Sequence, residues 1–178
     1  MKKVQRGFSL LEVLITLVLT GIGILGVVAM QSKSIQFTQH SINQSTAALL
    51  AADLMETLRA SRHEIYDGHI KLKPDSGYFK SSGSDFAAAE AGCAATSTEC
   101  PLAQLQAWKD RVQQSLPGVS DNLLKSDYHI CISKADTGCS ANDEGSAVEI
   151  RLAWIGNNEE CPITNGETLC SYTLRAEI

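Results

Sequence analysis

Hydrophobic and polar positions divide this chain into three regimes. From Phe8 to Met30 it runs 23 residues with one charge, Glu12. As a helix that stretch would reach about 34 Å, enough for a hydrocarbon core of about 30 Å. No Gly or Pro occurs between Val27 and Asp67, so the helix is predicted to continue to about Arg62, roughly 80 Å in all. In its upper half Ile35, Ile42 and Leu49 recur at seven, and Leu50, Leu54 and Leu58 at four, with Asp53 interrupting the stripe. This pattern predicts a helix packed on a headgroup, with a coiled-coil dimer as the alternative. Gly21, Gly23 and Gly26 would either allow close packing and local unwinding or simply reflect the composition of membrane helices.

The second regime, Asp67 to Cys100, is rich in Gly, Ser, Asp and Ala and reads mainly as loop. In the third, Pro101 suits a first helical position, and Leu102, Leu105, Trp108, Val112 and Leu116 keep one face until Pro117-Gly118. Trp108 is expected in the core. Three alternating runs then predict strands: Tyr128 to Ser133, Val148 to Ile155, and Tyr172 to Ile178. Their short connections favour an antiparallel meander over crossover units. The fold class is therefore α+β: a long N-terminal helix on an antiparallel sheet, with an extra short helix.

Six cysteines change the picture. Cys93, Cys100, Cys131, Cys139, Cys161 and Cys170 all lie in the C-terminal half. With no CxxC or HxxxH pair among them, a zinc ribbon or thioredoxin-like motif has no support. An even count behind an apolar segment fits an oxidising compartment, reduced buried thiols being the alternative. The number of connectivities is 15, and the sequence does not choose among them. Consecutive pairing is the expectation, because CAATSTEC, CISKADTGC and CPITNGETLC each bracket a short turn-rich segment. Loops this short would contribute about 2–3 kcal/mol each.

Charge narrows the classes further. The formal net charge is −5, with 15 basic and 20 acidic side chains. Without Lys2, Lys3 and Arg6 it would be 12 against 20, or −8. An acidic chain repels phosphate backbones, so no nucleic-acid partner is expected. None of His40, His63, His69 and His129 is spaced to suggest a triad or metal site. The run Asp136 to Glu144 resembles a calcium loop only superficially, since it lacks alternating ligands. No phosphate-binding Gly loop is present. Neither enzyme chemistry nor a cofactor nor a metal is indicated.

Glu12 is the anomaly. A carboxylate deep in a membrane helix costs about 2.5–3.5 kcal/mol on insertion scales. A secretory signal would have a shorter apolar region and a small-residue cleavage site, and would not continue into its cargo. A plain anchor leaves the acid unexplained. Cutting between Gly7 and Phe8 would create an ammonium at Phe8, four residues from Glu12, at the positive end of a new helix. Gly7 would let a protease approach the backbone closely. Basic residues before the apolar stretch predict a cytoplasmic N-terminus.

Gly7-Phe8-Ser9-Leu10-Leu11-Glu12-Val13, after a short basic leader, resembles the class III signal of type IV prepilins and pseudopilins. The resemblance implies cleavage after Gly7 by a prepilin peptidase and methylation of the Phe8 amine. It implies that Glu12 pairs with the N-terminal amine of an adjacent subunit during assembly. It also implies the type IV pilin fold: a leader over 1–7, a membrane half over 8–30, a periplasmic helix over 31–62, and a disulfide-containing headgroup over 63–178. GIGILGVVAMQSKSIQ, LLAADLMETLRASR, SDYHICISK and EIRLAWIG are further similar to the PilV-like minor pilins. The partners implied are other minor pilins, the major pilin, the inner-membrane assembly platform and a tip adhesin. The location implied is the bacterial inner membrane, single-pass with a periplasmic headgroup, and then the pilus near its tip. A minor pseudopilin of type II secretion has the same architecture. An adhesive or DNA-binding headgroup is the alternative from another class.

Overall fold

The computed structural model describes residues 9–68, 71–89, 92–94, 100–134, 138–140, 142, 144–156, 161–164 and 166–178. Two compact units are distinguished, Met1–Gln39 and His40–Ile178. Helix α1 spans Leu10–Ala60, 51 residues. Its opening stretch is long and apolar enough to cross a membrane, and none of that window is buried in the chain itself. Two hydroxyls in this apolar stretch are satisfied locally. Thr16 Oγ1 donates to the Val13 carbonyl at 2.8 Å and Thr20 Oγ1 to the Thr16 carbonyl at 2.7 Å. Such back-bonding spares a hydroxyl the cost of standing unpaired in hydrocarbon.

The second unit is an α+β body built on the end of α1. A turn at Ser61 leads into the short α2 (Arg62–Ile65), and then β1 (Tyr66–Asp67) pairs antiparallel with β2 (Lys71–Leu72). Helix α3 runs Pro101–Ser115 with its proline in the first turn, where the missing N–H costs nothing. Helix α4, Asp121–Ser126, starts at Ser120, whose hydroxyl accepts from the Leu123 amide. The main sheet contains β3 (His129–Lys134), β4 (Gly138–Cys139), β5 (Ala147–Ile155), β6 (Ile163–Thr164) and β7 (Glu167–Glu177). Its order is β4-β3-β5-β7-β6, and every pairing is antiparallel. The three long strands thus form the expected meander. The fold class is the one expected for a pilin-like chain: long N-terminal helix, antiparallel sheet, extra helix and three disulfides.

One face of β5, carrying Val148, Ile150, Leu152 and Trp154, packs into a single core with Ala47, Ala51, Leu54, Met55 and Leu58 of α1 and Leu105, Trp108 and Val112 of α3. Trp108 is 1 % exposed, and its Nε1 donates to the Leu50 carbonyl at 2.8 Å. Gly118 ends the turn after α3 with φ +68°, and a Cβ there would lie 2.7 Å from Ile155. Pro117 accepts from the Ile155 amide at 3.0 Å, which ties that turn to the end of β5.

One sequence expectation needs correcting. The heptad Ile35, Ile42, Leu49 is not the packing face, for all three are more than half exposed. Leu54 and Leu58 of the second expected stripe do pack, with Leu50 against them, and Ala47, Ala51 and Met55 join them. The stretch read mainly as loop is so among its described residues, the end of β1, β2 and a bridge at Lys80 apart, yet it supplies core residues. Tyr78 and Lys80 are buried there, and Lys80 exchanges backbone hydrogen bonds with Ile130 at 2.8 and 2.9 Å. Thus residue 80 pairs with β3 on the stretch of its edge that β4 leaves uncovered.

Candidate functional site

Glu12 stands in the first turn of α1 and is exposed. The Glu12 and Val13 amides both donate to the Ser9 carbonyl, at 3.0 and 3.3 Å. The first amides of a helix lack intrahelical acceptors and carry a partial positive charge, so a carboxylate here sits at the favourable end of the dipole. Around it Leu10, Leu11, Val13 and Leu14 are solvent-facing. Gly7 and Phe8 lie outside the described residues. The site is therefore an acid at the foot of a long apolar helix. A family model described as the Prokaryotic N-terminal methylation motif matches residues 2–28. This supports a type IV pilin-like family. No curated protein and no solved structure matches the chain.

A class III prepilin signal fits a single-pass membrane anchor that later enters a filament, and it implies processing by a prepilin peptidase and assembly with other pilins. The motif family is structural rather than catalytic. What the headgroup adds is cross-linking and charge. Cys93 bonds Cys100, Cys131 bonds Cys139 and Cys161 bonds Cys170, closing loops of seven, eight and nine residues' separation. The run read against calcium lies partly outside the described residues; within it Glu144 pairs with Lys134 at 3.0 Å. The hydrogen bond and charge of Lys134 hold the Glu144 carboxyl below its usual range.

Two buried charges are more informative. Lys80 points its ammonium at the carbonyls of Tyr128 (2.8 Å), Ser81 and Lys125 (3.2 Å each), with the Phe86 ring 5.1 Å away. Burial pulls its pKa down to about 8, against an upward pull from Asp85. A cation near the C-terminal carbonyls of α4 also complements that helix's dipole.

The second charge is Glu149, 5 % exposed on the face of β5 opposite the core. Strand register sets its neighbours. Cys131 on β3 and Arg175 on β7 lie directly opposite Glu149, and His129 lies two residues from Cys131 on the same face. Arg175 Nε donates to Glu149 Oε2 at 2.9 Å and its Nη2 reaches the same oxygen. His129 Nε2 is 3.0 Å from Oε1. Burial alone would raise the Glu149 pKa, but the hydrogen bonds and charges of Arg175 and His129 outweigh it and hold the carboxyl low.

Sequence reasoning missed this network, although a Glu among Val148, Ile150, Leu152 and Trp154 was its visible signal. The other histidines fall elsewhere. His40 on α1 stands by Cys161 and Cys170, His63 lies 3.6 Å from Glu64, and His69 is outside the described residues. Among the described residues, two groups bring metal-ligand atoms within 4.8 Å of one another: His129, Cys131, Cys139 and Glu149, and His40, Cys161 and Cys170. Their sulfurs are disulfide-bonded, so neither group offers thiolates as it stands.

Proposed function

We propose that this chain is a minor pilin of the type IV pilus, which helps to prime assembly within a minor-pilin complex and to link that complex to a tip adhesin. The observation that carries this reading is the N-terminal methylation motif running straight into a 51-residue helix with an exposed apolar lower part. In this reading residues 1–7 are a leader, 8–30 sit in the inner membrane, 31–62 continue the helix into the periplasm and 63–178 form the headgroup. Cleavage falls between Gly7 and Phe8. The freed, methylated amine of Phe8 then offers a positive charge to Glu12 of a neighbouring subunit, which offsets the cost of a carboxylate in hydrocarbon. The headgroup stretches quoted above support the narrower assignment to PilV-like minor pilins. The resemblance implies that members at the extreme tip sometimes lack this acid, so in this reading a subunit with Glu12 stands below it.

Mass spectrometry of sheared pili tests this reading. The chain should be found there, beginning at an N-methylated Phe8; its absence from pili, or an intact residue 7 on the assembled form, would overturn it. Gly7→Leu should leave an uncut precursor. Glu12→Ala should insert in the membrane yet enter pili poorly, and wild-type incorporation would remove the pairing argument. The same motif also fits a type II secretion pseudopilin. That reading predicts that deletion abolishes secretion and leaves piliation unchanged.

A further inference from the structure

We propose that the outer face of the sheet is a docking site for an acidic surface of a partner protein, with one carboxylate of that partner seated on Arg151.

Strand register assembles the site. On β5, Arg151 follows Glu149 by two and so shares its face, the one turned away from the core. His129 on β3 and Thr173 on β7 lie directly opposite Arg151, and Ser171 is the next residue of β7 on that face. The row His129, Arg151, Thr173 thus runs beside the row Cys131, Glu149, Arg175.

Arg151 is the unpaired member. It is only partly exposed, and its Nε is buried without a hydrogen-bond partner. Among the described residues no carboxylate pairs with it. The acid of the neighbouring row is already engaged: Glu149 Oε2 accepts from Arg175, and Oε1 stands 3.0 Å from His129. A guanidinium drawn this far from water costs free energy unless an anion compensates it.

Charge sets the class of that anion. Arg151 and Arg175 against Glu149, counting His129 as neutral, leave one positive charge on this face of a chain whose net charge is −5. One uncompensated charge matches one carboxylate, whose two oxygens fit the planar donor edge of a guanidinium. A polyphosphate fits worse, since the overall charge of the chain repels it. Ser171 and Thr173 are exposed, and among the described residues neither hydroxyl has a hydrogen-bond partner, so both can donate to the incoming acid. These positions lie open on a sheet and not deep in a cleft, which suits a side chain carried on another protein's surface. An arginine at the centre of such a contact is where binding energy concentrates.

The test uses the full disulfide-intact chain in a zwitterionic detergent at low salt. A fluorescein-labelled, end-capped tetraglutamate peptide is titrated and followed by anisotropy. It should bind, and the matching tetraglutamine peptide should not. Arg151→Gln should weaken binding at least about tenfold. Because Arg151 has no partner among the described residues, the same substitution should leave the urea midpoint unchanged or raise it. Thr173→Glu sets a carboxylate directly opposite Arg151 and fills the site from within, so it too should weaken binding at least about tenfold. Wild-type affinity in both variants, or equal binding of tetraglutamine, would overturn the site. A urea midpoint that falls in Arg151→Gln would make the residue structural and sink the assignment. Displacement of the labelled peptide by inorganic triphosphate at lower concentration than by unlabelled tetraglutamate would overturn it in favour of a phosphate ligand. Should Arg151→Gln fail to fold, Thr173→Glu, at an exposed position, decides.

Discussion

Arg175→Met is the sharpest probe of how the headgroup tolerates a charge in its sheet. The substitution keeps most of the aliphatic stem and removes the guanidinium from Glu149. The carboxylate is then left with His129 alone in a site where its side chain is 7 % exposed. Losing one partner of a buried pair typically costs about 3–5 kcal/mol. Arg175 keeps 30 % of its side chain in water, and His129 remains, which reduces the figure to about 2–3 kcal/mol at pH 7. With a urea slope of about 2 kcal/mol per M, the unfolding midpoint should fall by roughly 1–1.5 M.

The assay is equilibrium urea unfolding of the disulfide-intact chain in detergent, followed by the fluorescence of the buried Trp108 and Trp154. The pH profile adds a sign. In the wild type the Glu149 carboxyl is depressed, so its contribution is complete above the unfolded value of about 4.3 and is lost as pH falls through the folded value. In the variant the lowering by Arg175 is gone while burial and His129 remain, so the pKa moves up from its wild-type position and protonation relieves the folded state sooner as pH falls. The deficit should therefore be greatest at neutral pH and shrink toward pH 4. Glu149→Leu/Arg175→Met should recover part of the loss, since no charge is left buried. A single variant within about 0.5 kcal/mol of wild type, with the same pH profile, would refute the reasoning.

Gly145→Ala should destabilise by at least about 2 kcal/mol in thermal unfolding, because the new Cβ would lie 2.2 Å from the Ser133 carbonyl oxygen and no side chain can move to relieve it. Lys80, with its pKa lowered to about 8, binds fewer protons when folded than when unfolded between about pH 8 and 10.4. Wild-type stability should consequently rise with pH over that window, and Lys80→Met should abolish the rise. Tyr128 and Tyr78, both raised by burial, act the other way above pH 10, so the comparison belongs between pH 8 and 10.

The long helix, the second helix and the three main strands were legible because each repeats its apolar positions at the period of its own backbone. Reading the face of α1 was another matter. Ile35, Ile42 and Leu49 are larger and more apolar than Ala47 and Ala51, yet the alanines are fully buried and the larger residues are more than half exposed. Hydrophobicity announces a stripe but not which stripe meets the partner. The short α4, β4 and β6 carry too few residues for any period to register. The Glu149 network depends on register: Cys131, Glu149 and Arg175 become a row only when three strands align. At the N-terminus the basic residues, Gly7-Phe8 and Glu12 form one contiguous run, so the methylation motif needs no folding to be recognised.

Each disulfide closes its loop within a few residues, and no cysteine precedes Cys93. Apart from the chain itself, then, no covalent link runs from α1 to the sheet. A tensile load on that helix would be carried across the core by non-covalent contacts alone. Ala47, Ala51, Leu54 and Leu58, the Trp108–Leu50 hydrogen bond and the 2.9 Å Arg111–Asp53 ion pair would bear it. The sulfur bridges can hold a loop shut while the headgroup is peeled from its own stem. Mechanically the cross-links protect the shape of the head, and the strength of the joint belongs to packing.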